Sequence, residues 1–379
     1  MELLITVISF LLLAVYAGLI IYYRQSWLSI PTFKPGATGI AQTKISVIIP
    51  ARNEAENIGA CLDSIIGQSY PKHLYEVLVV DDHSTDDTAA IIKSYQAENV
   101  QLISLKDFVS ANELNSYKKK AIEIAILQST GQLIVTTDAD CIVPQNWLQT
   151  IAACYEKLKP AFIVMPVAIN CSNRFIEIFQ AIDFMTLQGI TGASVHKKFH
   201  SMCNGANLAY TKKAFNEAGG FKGIDNIASG DDMLLLHKIF KLQPNGIAYL
   251  KSKEVIVHTQ PVHTISQFLN QRIRWASKAD KYEDKRIFVV LLLVYFLNVW
   301  VMLLGISACF INTGILLIEV LLAKTIIELF FLWPVARFFN KQLILWYFPL
   351  AQPIHILYTV IAGWLGKFGS YKWKERKVN

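Results

Sequence analysis

Residues 45–82 read ISVIIPARNEAENIGACLDSIIGQSYPKHLYEVLVVDD, and this stretch decides the fold. Two short runs rich in β-branched residues, Ile45 to Ile49 and Glu76 to Val80, have the length and apolar continuity of buried strands. Between them Ile58, Cys61, Leu62, Ile65 and Ile66 recur at the i, i+3, i+4, i+7, i+8 spacing of one helix face. The alternation continues with a helix start at Ser84-Thr85, a strand at Val100 to Leu105, a helix near Lys118 to Gln128 and a strand at Gln132 to Thr137. Four strands alternating with helices predict an α/β domain on a doubly wound, mainly parallel sheet. Ligands of such sheets bind beyond the carboxyl ends of the strands, so the polar clusters there are the candidate site.

Outward from this domain the composition changes. The chain has 379 residues, 53% hydrophobic and only 17% charged, too apolar a balance for a purely soluble α/β protein. The excess lies at the two ends. Leu3 to Tyr23 is an uncharged run of roughly 20 residues, long enough to cross a bilayer. It lacks the basic flank and the small-residue cleavage site of a signal peptide, and so reads as an anchor. Arg24, Lys34 and Lys44 follow it, which puts the central domain in the cytoplasm.

Ile287 to Ile311 and Gly314 to Trp333 are also long enough to span. Leu343 to Leu365 is interrupted by Pro349 and Pro353, and a basic tail with Lys367, Lys372, Lys374, Arg376 and Lys377 follows. A re-entrant or interfacial hairpin at this third stretch keeps the tail cytoplasmic, as the positive-inside rule asks. The expected organisation is an anchor over 1–24, a cytoplasmic domain over 40–280, a transmembrane and re-entrant region over 286–366 and a basic tail over 367–379. An integral protein of a bacterial inner membrane is the expected setting.

The net charge of +7 includes Lys278, Lys281, Lys285 and Arg286, placed beside a membrane segment where anionic headgroups attract them. No nucleic acid is needed to explain them, and the residues identify no partner subunit. The six cysteines lack metal-ligand spacing and are expected to be reduced packing residues. Lys324 and Glu328 have i, i+4 spacing inside an apolar stretch, where pairing and a role toward a lipid acceptor are both open. The face formed by Phe175, Ile178, Phe179, Ile182 and Leu187 reads equally as core packing or as a membrane-resting surface.

Six clusters carry chemistry. Pro50-Ala51-Arg52-Asn53-Glu54 follows the first strand and Asp81-Asp82-His83-Ser84-Thr85-Asp86 the second, where carboxylates and backbone amides can hold a base or ribose. The fourth strand ends in Asp138-Ala139-Asp140. Two carboxylates at i and i+2 repel unless a cation intervenes, and Mg²⁺ or Mn²⁺ is commonly held by one or two carboxylates plus substrate phosphates. A solvated turn is the alternative. Further along lie Cys203-Asn204-Gly205-Ala206-Asn207, Asp231-Asp232 after Ser229-Gly230, and Gln271-Arg272-Ile273-Arg274-Trp275.

Taken in order, these motifs resemble the family 2 glycosyltransferases, in particular the membrane-embedded branch with cellulose, hyaluronan and ceramide-glucosyl enzymes. The resemblance covers roughly residues 45–280. It implies a GT-A fold and an enzyme that moves a sugar from a nucleotide-diphosphate donor, with a UDP-sugar the expected class. By resemblance Pro50, Arg52, Glu54 and Asp82 bind the nucleoside, with Lys118 or Lys119 near it. Asp138 and Asp140 match the DxD motif, Asp140 being the direct metal ligand. Asp232 matches the general base, beside Asp231. Gln271, Arg274 and Trp275 match QxxRW, which covers the donor diphosphate and the acceptor entrance.

The chemistry suits these residue types. Displacing a nucleoside diphosphate builds positive charge on the sugar and negative charge on the leaving phosphate, and a carboxylate takes the acceptor proton. One direct displacement inverts the anomeric centre. Two departures stand out. Cys141 follows the DxD motif where cellulose synthase-like enzymes can carry a metal-binding His, with His258 a candidate substitute. The membrane part is small for a polymer tunnel, which points to a membrane lipid or lipid-linked glycan acceptor. A processive polysaccharide synthase and a catalytically silent membrane scaffold are the competing readings.

Overall fold

The crossover expected at residues 45–82 is present in the computed structural model, which describes residues 2–34, 42–110, 116–199, 202–227, 230–278, 284–368, 371–373 and 376–378. In chain order, α1 (Glu2–Ser29) precedes β1 (Ile45–Ala51), α2 (Ile58–Ile66), β2 (Tyr75–Asp81), α3 (Thr88–Ser94), β3 (Val100–Ser104), α4 (Tyr117–Gln128) and β4 (Leu133–Thr136). There follow α5 (Trp147–Leu158), β5 (Phe162–Val164), β6 (Val167–Ile169), α6 (Phe175–Lys197), β7 (Leu208–Thr211), α7 (Lys212–Glu217), α8 (Met233–Leu242), β8 (Ile247–Tyr249) and β9 (Val257–Thr259). Four helices come next, α9 (Ile265–Ala276), α10 (Lys285–Ser307), α11 (Gly314–Phe338) and α12 (Phe348–Phe368), followed by a two-stranded antiparallel pair of β10 (Tyr371–Trp373) and β11 (Arg376–Val378). The calls on Ser229, Lys281 and Lys374 lie outside the described residues.

Two compact units emerge. One combines Pro31–Ala168 with Ser201–Gln260; the other combines Met1–Ile30, Ile169–His200 and Pro261–Asn379. The block expected over 40–280 is therefore divided, because α6 and α9 belong to the helical unit.

In the α/β unit the sheet has seven strands in the order β3-β2-β1-β4-β7-β5-β8. The β1/β2, β2/β3, β1/β4 and β5/β8 pairs are parallel, whereas β7 runs antiparallel to both β4 and β5. The sheet is doubly wound and mainly parallel, as the alternation predicts, with the antiparallel strand as the GT-A-like departure. Val47, Ile48 and Ile49 of β1 and Val77 to Val80 of β2 are fully buried, the condition under which strands read as continuous apolar runs. Register places Ala51 beside Asp81, so the polar segments after β1 and β2 emerge side by side. At the opposite end Gly131 closes the turn into β4. A Cβ there would lie 2.5 Å from the Ser46 amide nitrogen, so a side chain would push the turn off β1.

In the helical unit, α1 with 28 residues, α10 with 23 and Gln342–Phe368 with 27 are long and apolar enough to cross a membrane. The hairpin expected at the third stretch is corrected by a continuous helix, with Pro353 inside α12 rather than at a break. Tertiary packing holds a proline within a helix when neighbours satisfy the freed backbone groups. α11 carries Glu319, Lys324, Glu328 and Arg337, which separates it from the three low-charge helices.

The Lys324 side chain meets Glu328 Oε1 at 2.6 Å and donates to Gln352 Oε1 of α12 at 2.9 Å. Tyr16 of α1 and Gln352 donate to the same Glu328 carboxylate. Lys324 is 1% exposed, so pairing accounts for these ionisable groups. Of the α6 face, Ile178, Phe179 and Ile182 are buried as core. Gly189 lets α6 approach α11, since a Cβ there would lie 2.7 Å from Val335.

Lys324→Met is expected to destabilise the protein by about 3 kcal/mol, because it leaves Glu328 buried without its cation, and Lys324→Met/Glu328→Leu is expected to recover most of that loss. Thermal unfolding in detergent measures both. Equal melting of single and double variants would show that the pair has no such coupling.

Candidate active site

The site is built at the carboxyl ends of β1, β2 and β4, within the α/β unit. After β1, Arg52 donates from Nη1 to the Asp82 carbonyl at 2.8 Å, and the same atom lies 3.8 Å from the Asp82 carboxylate. Asn53 takes a left-handed φ of 50° and its side-chain oxygen accepts from the Thr85 amide at 2.9 Å. The Glu54 amide donates to Thr88 Oγ1 at 2.8 Å. Pro50 stands within β1. The two loops are thus stitched together, with Arg52, Glu54 and Asp82 in one polar edge.

Sequence reasoning assigned no role to His83, yet its ring bridges the Asp82 carboxylate at 3.0 Å and the Val109 carbonyl at 3.1 Å. It also lies edge-on to Tyr117. A histidine inside an acidic turn gives no periodic signal, which is why it escaped notice.

At the end of β4 the carboxylates converge. Lys118 of α4 donates to Asp138 Oδ1 at 2.8 Å and lies 3.3 Å from Asp231 Oδ2, joining the fourth strand to the loop before α8. Burial opposes its charge, but Asp138, Asp231 and Asp232 outweigh that and hold the ammonium above the usual lysine range. Lys119 takes a different course. It is 2% exposed and donates to the carbonyls of Ile224 and Ile227, bracing the loop that leads to Asp231.

Asp140 points into a more enclosed position. Its Oδ2 accepts from Thr259 Oγ1 of β9 at 3.2 Å, and its Oδ1 from the Cys141 thiol at 3.6 Å. Burial, then the carboxylates of Asp138 and Glu54, push the Asp140 carboxyl above its usual range despite those donors. The residue following the DxD motif is thus a hydrogen-bond donor to Asp140. Burial and the same two aspartates push the Cys141 thiol up as well. All six cysteines are free.

His258 pairs through its backbone with Ile142, and Thr259 of the same strand donates to Asp140. Thr259 belongs to no motif and was not singled out. Among the described residues no cluster of three or more His, Cys, Asp or Glu side chains is arranged to hold a metal ion.

Asp232 caps α8. Its Oδ1 accepts from the Met233 amide at 2.7 Å and its Oδ2 from the Gly205 amide at 3.1 Å. Gly205 makes room for this meeting: a Cβ there would lie 3.2 Å from Asp231 Oδ2 and 3.3 Å from Lys118 Nζ. Its carbonyl accepts from Thr136 Oγ1 at the end of β4. Asn207 is fully buried and holds Trp147, Pro166 and Val255, so the Asn204 to Asn207 segment is a scaffold under the carboxylates. Gln271, Arg274 and Trp275 stand on α9 of the helical unit, where a Thr264–Gln267 capping box fixes the helix start.

Comparison with known proteins agrees with this architecture. Residues 46–219 match Glycosyl transferase family 2, and residues 133–362 match Glycosyl transferase family group 2. Glycosyltransferase AglE of Haloferax volcanii is 38% identical over 107 residues, covering 28% of this chain and 33% of that protein. The probable glycosyltransferase YdaM of Bacillus subtilis is 26% identical over 241 residues, 62% of this chain and 54% of that protein. The beta-monoglucosyldiacylglycerol synthase of a Synechocystis species is 26% identical over 156 residues, 41% of this chain and 30% of that protein. The matches thus span from about a third to just over half of these curated relatives.

The mannosyltransferase PcManGT of Pyrobaculum calidifontis, solved with GDP-Man and Mn²⁺, shares the fold at a TM-score of 0.60 and 20% identity, covering 93% of this chain and 99% of that one. With the strand order, the carboxylate-lined edge and a family match over more than half its length, the chain belongs to the family 2 glycosyltransferases.

Proposed function

We propose that the protein transfers one sugar from a nucleotide-diphosphate donor, a UDP-sugar by family resemblance, to a membrane lipid or lipid-linked acceptor with inversion. The observation that carries this reading is the convergence of Asp138, Asp140, Asp231 and Asp232 around Lys118 and Gly205 at the end of β4. A silent scaffold has no use for a carboxylate raised by burial and like charge. The lipid acceptor draws support from the relative that bears the name of a diacylglycerol glycolipid synthase and from the three apolar helices. A processive synthase has less support, because a polymer conduit asks for more membrane helices than these.

The donor set fits a hard divalent ion: Asp140 and Asp138 offer oxygens only, and like-charge crowding at Asp140 is what a cation relieves. Such an ion, Mg²⁺ or Mn²⁺, would neutralise charge growing on the leaving diphosphate. In this reading Arg52, Glu54 and Asp82 hold the nucleoside beside Pro50, and Lys118 adds a cation near the diphosphate. Lys119 keeps its loop-bracing role. By family resemblance Gln271, Arg274 and Trp275 are assigned to the donor diphosphate and the acceptor entrance. Asp232 takes the acceptor proton as the hydroxyl oxygen attacks the anomeric carbon. Asp231, tied to Lys118, keeps the base beside the DxD carboxylates.

Nucleoside-diphosphate affinity is expected to fall on the order of tenfold with chelator, and Asp140→Ala is expected to abolish that difference. Because Asp140's carboxyl is raised, its proton competes with the metal as pH falls, so metal affinity rises with pH through its ionisation. Calorimetric titration across pH reads both. Equal affinities with and without chelator would remove the metal from the donor site.

For the base, Asp232→Asn retains an acceptor for the α8 cap and is expected to lower turnover by about a hundredfold to ten-thousandfold while leaving donor binding nearly intact. An inactive but folded Asp231→Asn beside a near-normal Asp232→Asn reverses the assignment. Loss of stability alone in both, of about 1 kcal/mol, makes the pair a cap.

We place the α/β unit and the basic tail in the cytoplasm, on the distribution of Lys and Arg. Cys309, exposed just beyond α10, then faces outward. In sealed cells an impermeant thiol reagent is expected to label Cys309 but not a cysteine introduced by Lys374→Cys in a Cys309→Ser background. External labelling at 374 would put the tail outside.

A further inference from the structure

Arg272 stands between Gln271 and Arg274 of the motif and has no role assigned to it above. Its surroundings give it one. The guanidinium is 4% exposed, and Nη1 donates to Gln271 Oε1 at 3.1 Å. It lies 4.2 Å over the ring of Trp275, three residues on, and 4.7 Å from that of Phe268, four residues back. Nη2 meets Asp183 Oδ2 of α6 at 2.6 Å. Tyr358 of α12 donates to the other oxygen of Asp183, and His355 Nε2 stands 3.9 Å from it. Phe179, Phe268 and Ala351 wall the group with buried apolar surface.

One side chain therefore touches two of the three motif residues at once and pairs with Asp183 of α6, which Tyr358 and His355 of α12 contact in turn, all within the helical unit. Stability alone is a poor reason for this arrangement. A buried ion pair loses much of its Coulomb gain to desolvation, and apolar replacements of similar volume are often as stable. What the planar guanidinium supplies is direction: Nη1 donates to Gln271 and one face lies over Trp275, while its charge pairs with Asp183. Lysine keeps the charge and loses this geometry.

We infer that Arg272, anchored by Asp183 and Tyr358, is a positioning residue that fixes the Gln271 amide and the Trp275 indole on α9. This rests on the reading above that α9 presents groups to donor and acceptor. The full-length protein in lipid nanodiscs, labelled with 5-fluorotryptophan, allows a test independent of turnover. The chain has eight tryptophans, and Trp275→Phe identifies one fluorine resonance. Arg272→Lys is expected to move or broaden the Trp275 resonance and leave the others in place. The isosteric Asp183→Asn should give the same pattern.

In kinetics both are expected to lower kcat on the order of 10-fold to 100-fold, with donor KM within about threefold, the mark of misplaced rather than missing groups. An unmoved Trp275 resonance overturns the inference. So does full kcat in Arg272→Lys when Gln271→Ala and Trp275→Phe are inactive. If those two motif variants are themselves fully active, the role of α9 fails, while the resonance still reports whether Arg272 holds Trp275. Failure of both Arg272→Lys and Asp183→Asn to fold would make the pair purely structural and also overturn it.

Discussion

Coulomb repulsion among carboxylates is the constraint around which the α/β unit is arranged. Burial and the nearby Asp138 and Glu54 carboxylates raise the proton affinity of Asp140, and Asp231 and Asp232 are brought to the same edge. Unrelieved, such a cluster would unravel the loops that carry it. The fold answers with the half-buried Lys118 ammonium, the Gly205 amide, and the Thr259 and Cys141 donors. Each answer comes from a different element. The sheet order, with β7 leading back beside β4, is what delivers Gly205 to the meeting point.

This explains why the parallel half was legible in the sequence and the rest less so. β1, β2 and β4 are apolar runs that burial on both faces makes continuous rather than alternating, and β3, half-buried at the sheet edge, still carries Val100, Leu102 and Ile103. β5, β6, β8 and β9 are three residues each, too short to show a period, and neither they nor β7 were foreseen. The carboxylate motifs were readable because charge at a strand end has few structural uses. Thr259, His83 and Arg272 were missed because each also has a partner distant in sequence, Asp140, Val109 and Asp183 respectively, a relation no local spacing records. Adjacent Lys118 and Lys119 could not be told apart until α4 aimed them at different targets.

The helical unit follows a different rule. Ionisable groups in its apolar helices are closed on themselves: Lys324 with Glu328, Gln352 and Tyr16, and Arg272 with Asp183. The i, i+4 spacing of Lys324 and Glu328 announced the first pair. The second joins α9 to α6 across a long stretch of sequence, and only the three-dimensional arrangement reveals it. The proline that suggested a break in α12 did not create one, because helix packing outweighs the local preference of a single residue.

The central position of β7 bears on how the chain folds as it is made. β4 ends at Thr136, but its antiparallel neighbour is Leu208–Thr211, and α6, a helix of the other unit, intervenes. During synthesis the β4 edge therefore stays open while the whole of α5 and α6 emerges from the ribosome, presenting unpaired amides and carbonyls to any other strand. The nascent protein passes through a stage in which half a sheet waits beside a helix still to be placed among its partners.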